Sequence, residues 1–103
     1  MQDEPFSIEA FQQHIRQRYY AADIARGTPA TFLWFIEEVG ELATALQHTA
    51  AQRADTSTAT DNLEEEFADV LAWLCTLANI NGVNLTAAAR KKYMQDGGPV
   101  GHK

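Results

Sequence analysis

Basic residues are scarce: eight Lys and Arg stand against fourteen Asp and Glu, for a formal net charge of −6. A general nucleic-acid binder needs a basic footprint, so no nucleic-acid polymer is expected as a partner. A small phosphorylated ligand stays open, because a metal can carry the positive charge. Cysteine occurs once, as Cys75; an intrachain disulfide cannot form, and the ligand spacing of a zinc site is missing. No apolar run approaches the ~18 residues of a membrane span. The acidic start MQDEPFSIEAF lacks the basic-then-apolar order of a signal peptide. A cytoplasmic protein without a membrane partner is the expectation. Strand signals are missing too, since no segment alternates with period two between turns, and no solenoid-type repeat is visible.

What is present is helical. The 103 residues suit one domain over 1–103. A chain this short buries only about 60–65% of the surface its unfolded form exposes, so its core is limited and oligomerisation would add to it. Ser7 is an N-cap for a helix from Ile8 to about Ala22, whose apolar positions Ile8, Phe11, Ile15, Tyr19 and Ala22 follow helical spacing. Arg26-Gly-Thr-Pro29 reads as a stop and a restart, with Gly27 ending one segment, Thr28 capping the next and Pro29 at its first position. The second helix continues to about His48. Thr49 to Thr60 has no apolar periodicity and reads as a mobile loop after its first residues. Asp61 and Glu64 fit a capping box for a third helix, which Gly82 stops. Asn84 caps a short fourth helix, Leu85 to about Met94, and Gly97-Gly98-Pro99 leaves a frayed tail over about 96–103. The expected fold is all-α, a four-helix antiparallel bundle.

The acids of the two long helices fall in a pattern. Glu38 and Glu41, three apart, share a face with Trp34, Leu42 and Ala45. In NLEEEFADVLAWLCTL, Glu66 and Asp69 share a face with Val70, Trp73 and Leu77. If these helices pack antiparallel, four carboxylates converge within an apolar stripe, and no Lys or Arg in either helix is placed to offset them. Isolated buried carboxylates are unfavourable or neutralise themselves, so a divalent cation is the natural counter-charge. All-oxygen ligands favour Mg²⁺, Mn²⁺ or Ca²⁺. No histidine stands three residues after any glutamate, which disfavours redox iron. Hard cations on carboxylates point toward phosphate chemistry. A solvated acidic face is the competing reading of each pair taken alone.

Glu37-Glu38-x-x-Glu41 followed by Glu66-x-x-Asp69 resembles the EExxE…ExxD signature of MazG-type nucleotide pyrophosphohydrolases, in the all-α NTP pyrophosphatase superfamily. The similarity runs from about Arg26 to Tyr93, through TPATFLWFIEEVGELATAL and NLEEEFADVLAWLCTLANINGVNLTAAARKKY. It implies an oligomeric helix bundle, a homodimer or homotetramer, that hydrolyses a nucleoside triphosphate to the monophosphate and pyrophosphate with Mg²⁺, Mn²⁺ being an alternative. Carried over, Glu38, Glu41, Glu66 and Asp69 are the metal ligands. Glu37 lies about 100° around the helix and suits water orientation; the catalytic candidates are Glu37, Glu38 and Glu41. Arg90, Lys91, Lys92 and Tyr93 resemble the basic end of the family's last helix and are candidates for substrate binding, although no asparagine follows Lys91 or Lys92 as it does in many relatives. Trp34 and Trp73 are candidates to stack on the base, with core packing as the alternative. His48 falls on the carboxylate side. Two other readings stay open: a non-catalytic metal- or partner-binding module, and a related pyrophosphohydrolase acting on phosphoribosyl-ATP.

Overall fold

Ser7 caps the first helix. Its Oγ accepts from the Ala10 N–H at 3.0 Å and its carbonyl from the Phe11 N–H at 2.9 Å, which satisfies donors that a helix start leaves free. Phe6 and Phe11, on either side of the cap, close over it with ring centroids 5.9 Å apart, an apolar staple that fixes the entry of the chain. The computed structural model describes residues 5–51 and 57–101. Among them α1 runs Ile8–Ala51, α2 Ser57–Ile80 and α3 Leu85–Ala89, followed by a π-helical turn, Arg90–Met94; no strand is present.

The all-α expectation holds, but three α-helices form where the sequence suggests four. The difference lies at Gly27. It alone leaves helical geometry within α1, at φ 83° and ψ 169°, a region essentially confined to glycine. The chain therefore stays helical past Ala22 up to the break and resumes at once, with Pro29 in the new first turn, where its missing N–H is harmless. The two arms, 8–26 and 28–51, count as one broken helix. Arg26 spans the break. It pairs through Nη2 with Asp23 Oδ1 on one side and donates through Nε to Thr31 Oγ1 at 2.9 Å on the other. Thr31 is wholly buried, and the guanidinium also lies 5.0 Å from the centroid of the Trp73 ring on α2.

The second arm and α2 are antiparallel. Asn81 Nδ2 donates to Thr28 Oγ1 at 3.2 Å, and Trp34 stacks on Trp73 with centroids 6.3 Å apart and planes 11° from parallel. Glu41 adjoins Glu66 further along, so numbers rise on one helix as they fall on the other. The segment Thr49 to Thr60, read as a loop after its first residues, is helical at both ends: α1 extends to Ala51, within those first residues, and α2 begins already at Ser57; residues 52–56 lie outside those described. The capping box at Asp61 and Glu64 thus falls inside α2, because no Gly or Pro between 57 and 61 stops the helix from extending backward.

The C-terminal stop of α2 is as expected. Gly82, at φ 70°, lets the Val83 N–H reach the Ala78 carbonyl at 2.8 Å and its own N–H reach Asn79 at 3.3 Å, the paired bonds of a Schellman closure. Asn84 Oδ1 then accepts from the Ala87 N–H at 2.9 Å, and the chain bends by 99° between Asn62–Ile80 and Leu85–Met94. Gln12 fastens the first arm to this corner. Its Nε2 donates to Asn79 Oδ1 at 2.9 Å and to the Val83 carbonyl at 2.7 Å, while Oε1 accepts from the Leu85 N–H at 3.0 Å. The tail makes a turn, Gly98 N–H to the Gln95 carbonyl at 3.1 Å; residues 102–103 lie outside those described.

The core of a single chain is small. Among the described residues only Ile15, Ala45, Cys75 and Ala78 are buried apolar side chains. Of the stripe expected on the first helix, Ile15 is buried and Phe11 half-buried, whereas Ile8, Tyr19 and Ala22 are exposed. On the second arm and α2, Phe32, Leu33, Trp34, Ile36 and Phe67 are 47–71% exposed. Among the described residues no single helix is long and apolar enough to cross a membrane.

Candidate functional site

Antiparallel packing brings the acidic faces of α1 and α2 together. One carboxylate oxygen from each of Glu38, Glu66 and Asp69 lies within 4.8 Å of the other two. Glu38 and Glu66 are half-buried and Asp69 is exposed. Glu41 is outside this three-way set and stands beside Glu66, close enough to share a hydrogen bond with it when one of the two is protonated. Glu38 Oε1 and Glu66 Oε1 are buried and have no hydrogen-bond partner among the described residues.

The electrostatics follow from this crowding. The Glu38 carboxyl is held above its ordinary value by burial first, then by the charges of Glu41, Asp69 and Glu66, with Glu37 a lesser contributor. Glu66 is raised in the same way, by burial and then by Glu41 and Asp69. Burial and like charge both disfavour the ionised form. The only ion pair among the described residues joins Arg26 to Asp23, so no described Lys or Arg forms an ion pair with the cluster. Acceptor-only oxygens from three side chains, two of them unpartnered, form a donor set suited to a hard divalent cation.

The remaining residues singled out in the sequence are distributed unevenly. Glu37 is exposed next to the cluster. Trp34 stands one turn before Glu38 and Trp73 one turn after Asp69, and the two rings pack on each other. His48 lines a cleft of about 240 Å³ with Glu41, Thr44, Ala45, Asn62 and Glu66, directly beside the acids. Arg90, Lys91 and Lys92 are exposed and Tyr93 is half-buried, with Lys92 Nζ 5.4 Å from the Tyr93 ring centroid. They lie beyond the corner at the far end of α2, and Asp69 is about 11 residues, roughly 16 Å, before that end. Within one chain the basic segment is therefore remote from the carboxylates. Cys75 is wholly buried, which pushes its thiol above the ordinary value; it is a core residue and chemically quiet.

A model of the MazG nucleotide pyrophosphohydrolase domain matches residues 27–94. The chain belongs to the MazG family. The match covers the second arm of α1, all of α2 and α3, and the π-helical turn. It therefore contains the five acids Glu37, Glu38, Glu41, Glu66 and Asp69, and it supports a pyrophosphohydrolase activity in general. No curated protein matches the chain as a relative.

Two parts of this MazG domain's surroundings went unread in the sequence. Asn62 and Thr44 join His48 in the cleft beside the acids; Asn62 is one turn before Glu66, and helical spacing alone could have marked it. In the Asp23–Arg26–Thr31 clasp, whose first two members precede the matched span, the i,i+3 pair Asp23–Arg26 had helical spacing to mark it, whereas Thr31 was not visible as a partner because it lies across the break at Gly27.

Proposed function

We propose that the chain is a Mg²⁺-dependent nucleoside triphosphate pyrophosphohydrolase that releases the nucleoside monophosphate and pyrophosphate, in house-cleaning or control of the nucleotide pool in the cytoplasm. The observation that carries this reading is the convergence of Glu38, Glu66 and Asp69, two of whose oxygens are buried without a partner among the described residues. Mg²⁺, or Mn²⁺ in its place, would when bound neutralise these carboxylates and the phosphate oxygens and lower the pKa of a water nucleophile. Glu38, Glu66 and Asp69 would hold it, with Glu41, beside Glu66, as a further candidate ligand. Glu37, exposed beside the cluster, orients water toward the α-phosphorus or takes its proton.

Substrate contacts beyond the metal are shared between chains. Arg90, Lys91, Lys92 and Tyr93 serve a triphosphate only from a neighbouring subunit, since they are remote from the acids of their own. The apolar surface of Phe32, Leu33, Ile36 and Phe67 supports such an assembly, a homodimer or homotetramer in which those side chains are covered. Trp34 and Trp73 form one wall near the carboxylates.

A panel of NTPs, dNTPs and phosphoribosyl-ATP, assayed with Mg²⁺ and with chelator, tests this. Equal yields of monophosphate and pyrophosphate, in Mg²⁺ only, are expected from one or more triphosphates. Orthophosphate as the sole phosphate product would overturn the cleavage position. Stabilisation by Mg²⁺ without turnover of any compound would favour a non-catalytic metal-binding module.

A further inference from the structure

The acids have different neighbours on their two sides. Towards Gly27 stand Trp34 and Trp73, stacked on each other. In the opposite direction lies the cleft of about 240 Å³ lined by Glu41, Thr44, Ala45, His48, Asn62 and Glu66. Helical spacing builds its walls: positions 41, 44, 45 and 48 share one face of α1, and Asn62 and Glu66 stand one turn apart on α2. Thr44, His48 and Asn62 are exposed, within reach of a ligand arriving from solvent. The volume falls below the roughly 300 Å³ at which whole drug-sized ligands are held, and it suits one part of a substrate.

The chemistry of the lining decides which part. Ionised Glu41 and Glu66 accept hydrogen bonds and donate none, whereas Thr44, Asn62 and His48 both donate and accept. A ligand seated here must therefore bring donors of its own. A nucleoside triphosphate has them at one end only. Its ribose hydroxyls and base N–H groups donate, while its β- and γ-phosphates present oxygens that accept. A pyrophosphate group in the cleft would set acceptor against acceptor and negative charge against Glu41 and Glu66. The neutral nucleoside meets neither obstacle.

We propose that the cleft of Thr44, His48 and Asn62 is the nucleoside subsite, with the α-phosphate at the acids and the pyrophosphate leaving on the Trp34–Trp73 side. This rests on the hydrolase reading above and adds to it the direction in which the substrate lies. Distance along the helices orders the contacts. Thr44 is three residues, roughly 4.5 Å, from Glu41, and Asn62 is four, roughly 6 Å, from Glu66; they serve the ribose, which follows the α-phosphate directly. His48 is seven residues, roughly 10 Å, beyond Glu41. It meets the base and is the specificity-determining residue of the subsite.

Product inhibition separates the two halves of the substrate. With the best triphosphate in Mg²⁺, the inhibition constants of its nucleoside monophosphate and of inorganic pyrophosphate are compared in the full chain, His48→Ala and Asn62→Ala. Both positions are exposed, where substitution seldom unfolds a protein, and one variant with intact helical circular dichroism suffices for the comparison. The monophosphate is expected to weaken about fivefold, the effect of one hydrogen bond, while pyrophosphate stays unchanged. Weakened pyrophosphate beside unchanged monophosphate would reverse the direction and overturn the proposal. So would equal weakening of both, no change in either, or a parent that its monophosphate does not inhibit. If the parent hydrolyses no triphosphate, the hydrolase reading fails by itself, and calorimetric binding of the ribo- and deoxyribonucleoside monophosphates and of pyrophosphate is measured on the same chains. A monophosphate that binds the parent and loses affinity in the variants, with pyrophosphate unaffected, then sustains the subsite; no monophosphate bound, or one bound equally by parent and variants, ends it.

Discussion

Replacing Glu38 by Gln should have opposite effects on stability with and without metal. Without metal, Glu38 faces Asp69 and Glu66 with oxygens within 4.8 Å and one oxygen unpartnered. Glu38 is half-buried and Asp69 exposed, so a water-like dielectric applies to that pair, and its repulsion is about 1 kcal/mol before screening by salt. Removing the charge should raise the melting temperature of the metal-free protein by up to roughly 4–8 °C. With metal the sign reverses. A ligand present at one hundred times its Kd stabilises by about 2.7 kcal/mol, a rise of roughly 10–20 °C for a domain of this size, and Glu38→Gln forfeits most of it. Melting curves by circular dichroism, in chelator and across a Mg²⁺ titration, should therefore cross. A variant that melts below the parent in chelator and gains as much from Mg²⁺ would refute the reasoning, since the carboxylates would then neither repel one another nor share an ion.

Four further outcomes are expected. Glu38 and Glu66 are both raised above their ordinary values, so the folded metal-free protein holds more protons than the unfolded chain; its stability should fall as pH rises from the ordinary glutamate value through the raised ones, and Mg²⁺ should flatten that fall in urea titrations at several pH values. Gln12→Ala leaves Asn79, Val83 and Leu85 without their partner and should destabilise by on the order of 2–4 kcal/mol in denaturant unfolding. Gly27→Ala, placed at φ 83°, should lose about 1–3 kcal/mol by the same measurement, whereas an unchanged midpoint would mean that the break is not strained for other residues. Lys91→Ala with Lys92→Ala should raise KM for a triphosphate more than it lowers kcat, and mixing these subunits with Asp69→Asn subunits should restore part of the activity if the basic segment serves a neighbouring chain.

Local chemistry made much of the fold legible. Ser7, Gly82 and Asn84 act at the ends where caps and stops are expected, because capping depends on one residue and the backbone beside it. The i,i+3 spacing of Glu66 and Asp69 and the place of Glu38 gave the shared face, since helical periodicity fixes direction before any packing. The break at Arg26-Gly-Thr-Pro29 was legible and falls at Gly27, but the count of helices was not, because the helix resumes at once after that single residue and the two arms count as one broken helix. The start of α2 before Asp61 was hidden by a permissive run of Ala, Thr and Ser. Burial along the first helix was not legible, and Tyr19 in the apolar stripe is 47% exposed, because a stripe does not say whether its partner is the same chain or another copy. Arg90, Lys91 and Lys92 were singled out through the family resemblance alone, and whether they meet the acids of their own chain was not legible, because it depends on the 99° bend after α2.

The most direct test of the central claim, that the carboxylates of α1 and α2 form a metal centre for attack at the α-phosphorus, is hydrolysis of a nucleoside triphosphate in ¹⁸O-labelled water. The account expects the label in the monophosphate alone, only when Mg²⁺ is present, and its loss in Asp69→Asn with the helical circular dichroism intact. Label in orthophosphate or pyrophosphate, or undiminished turnover by Asp69→Asn, would contradict it.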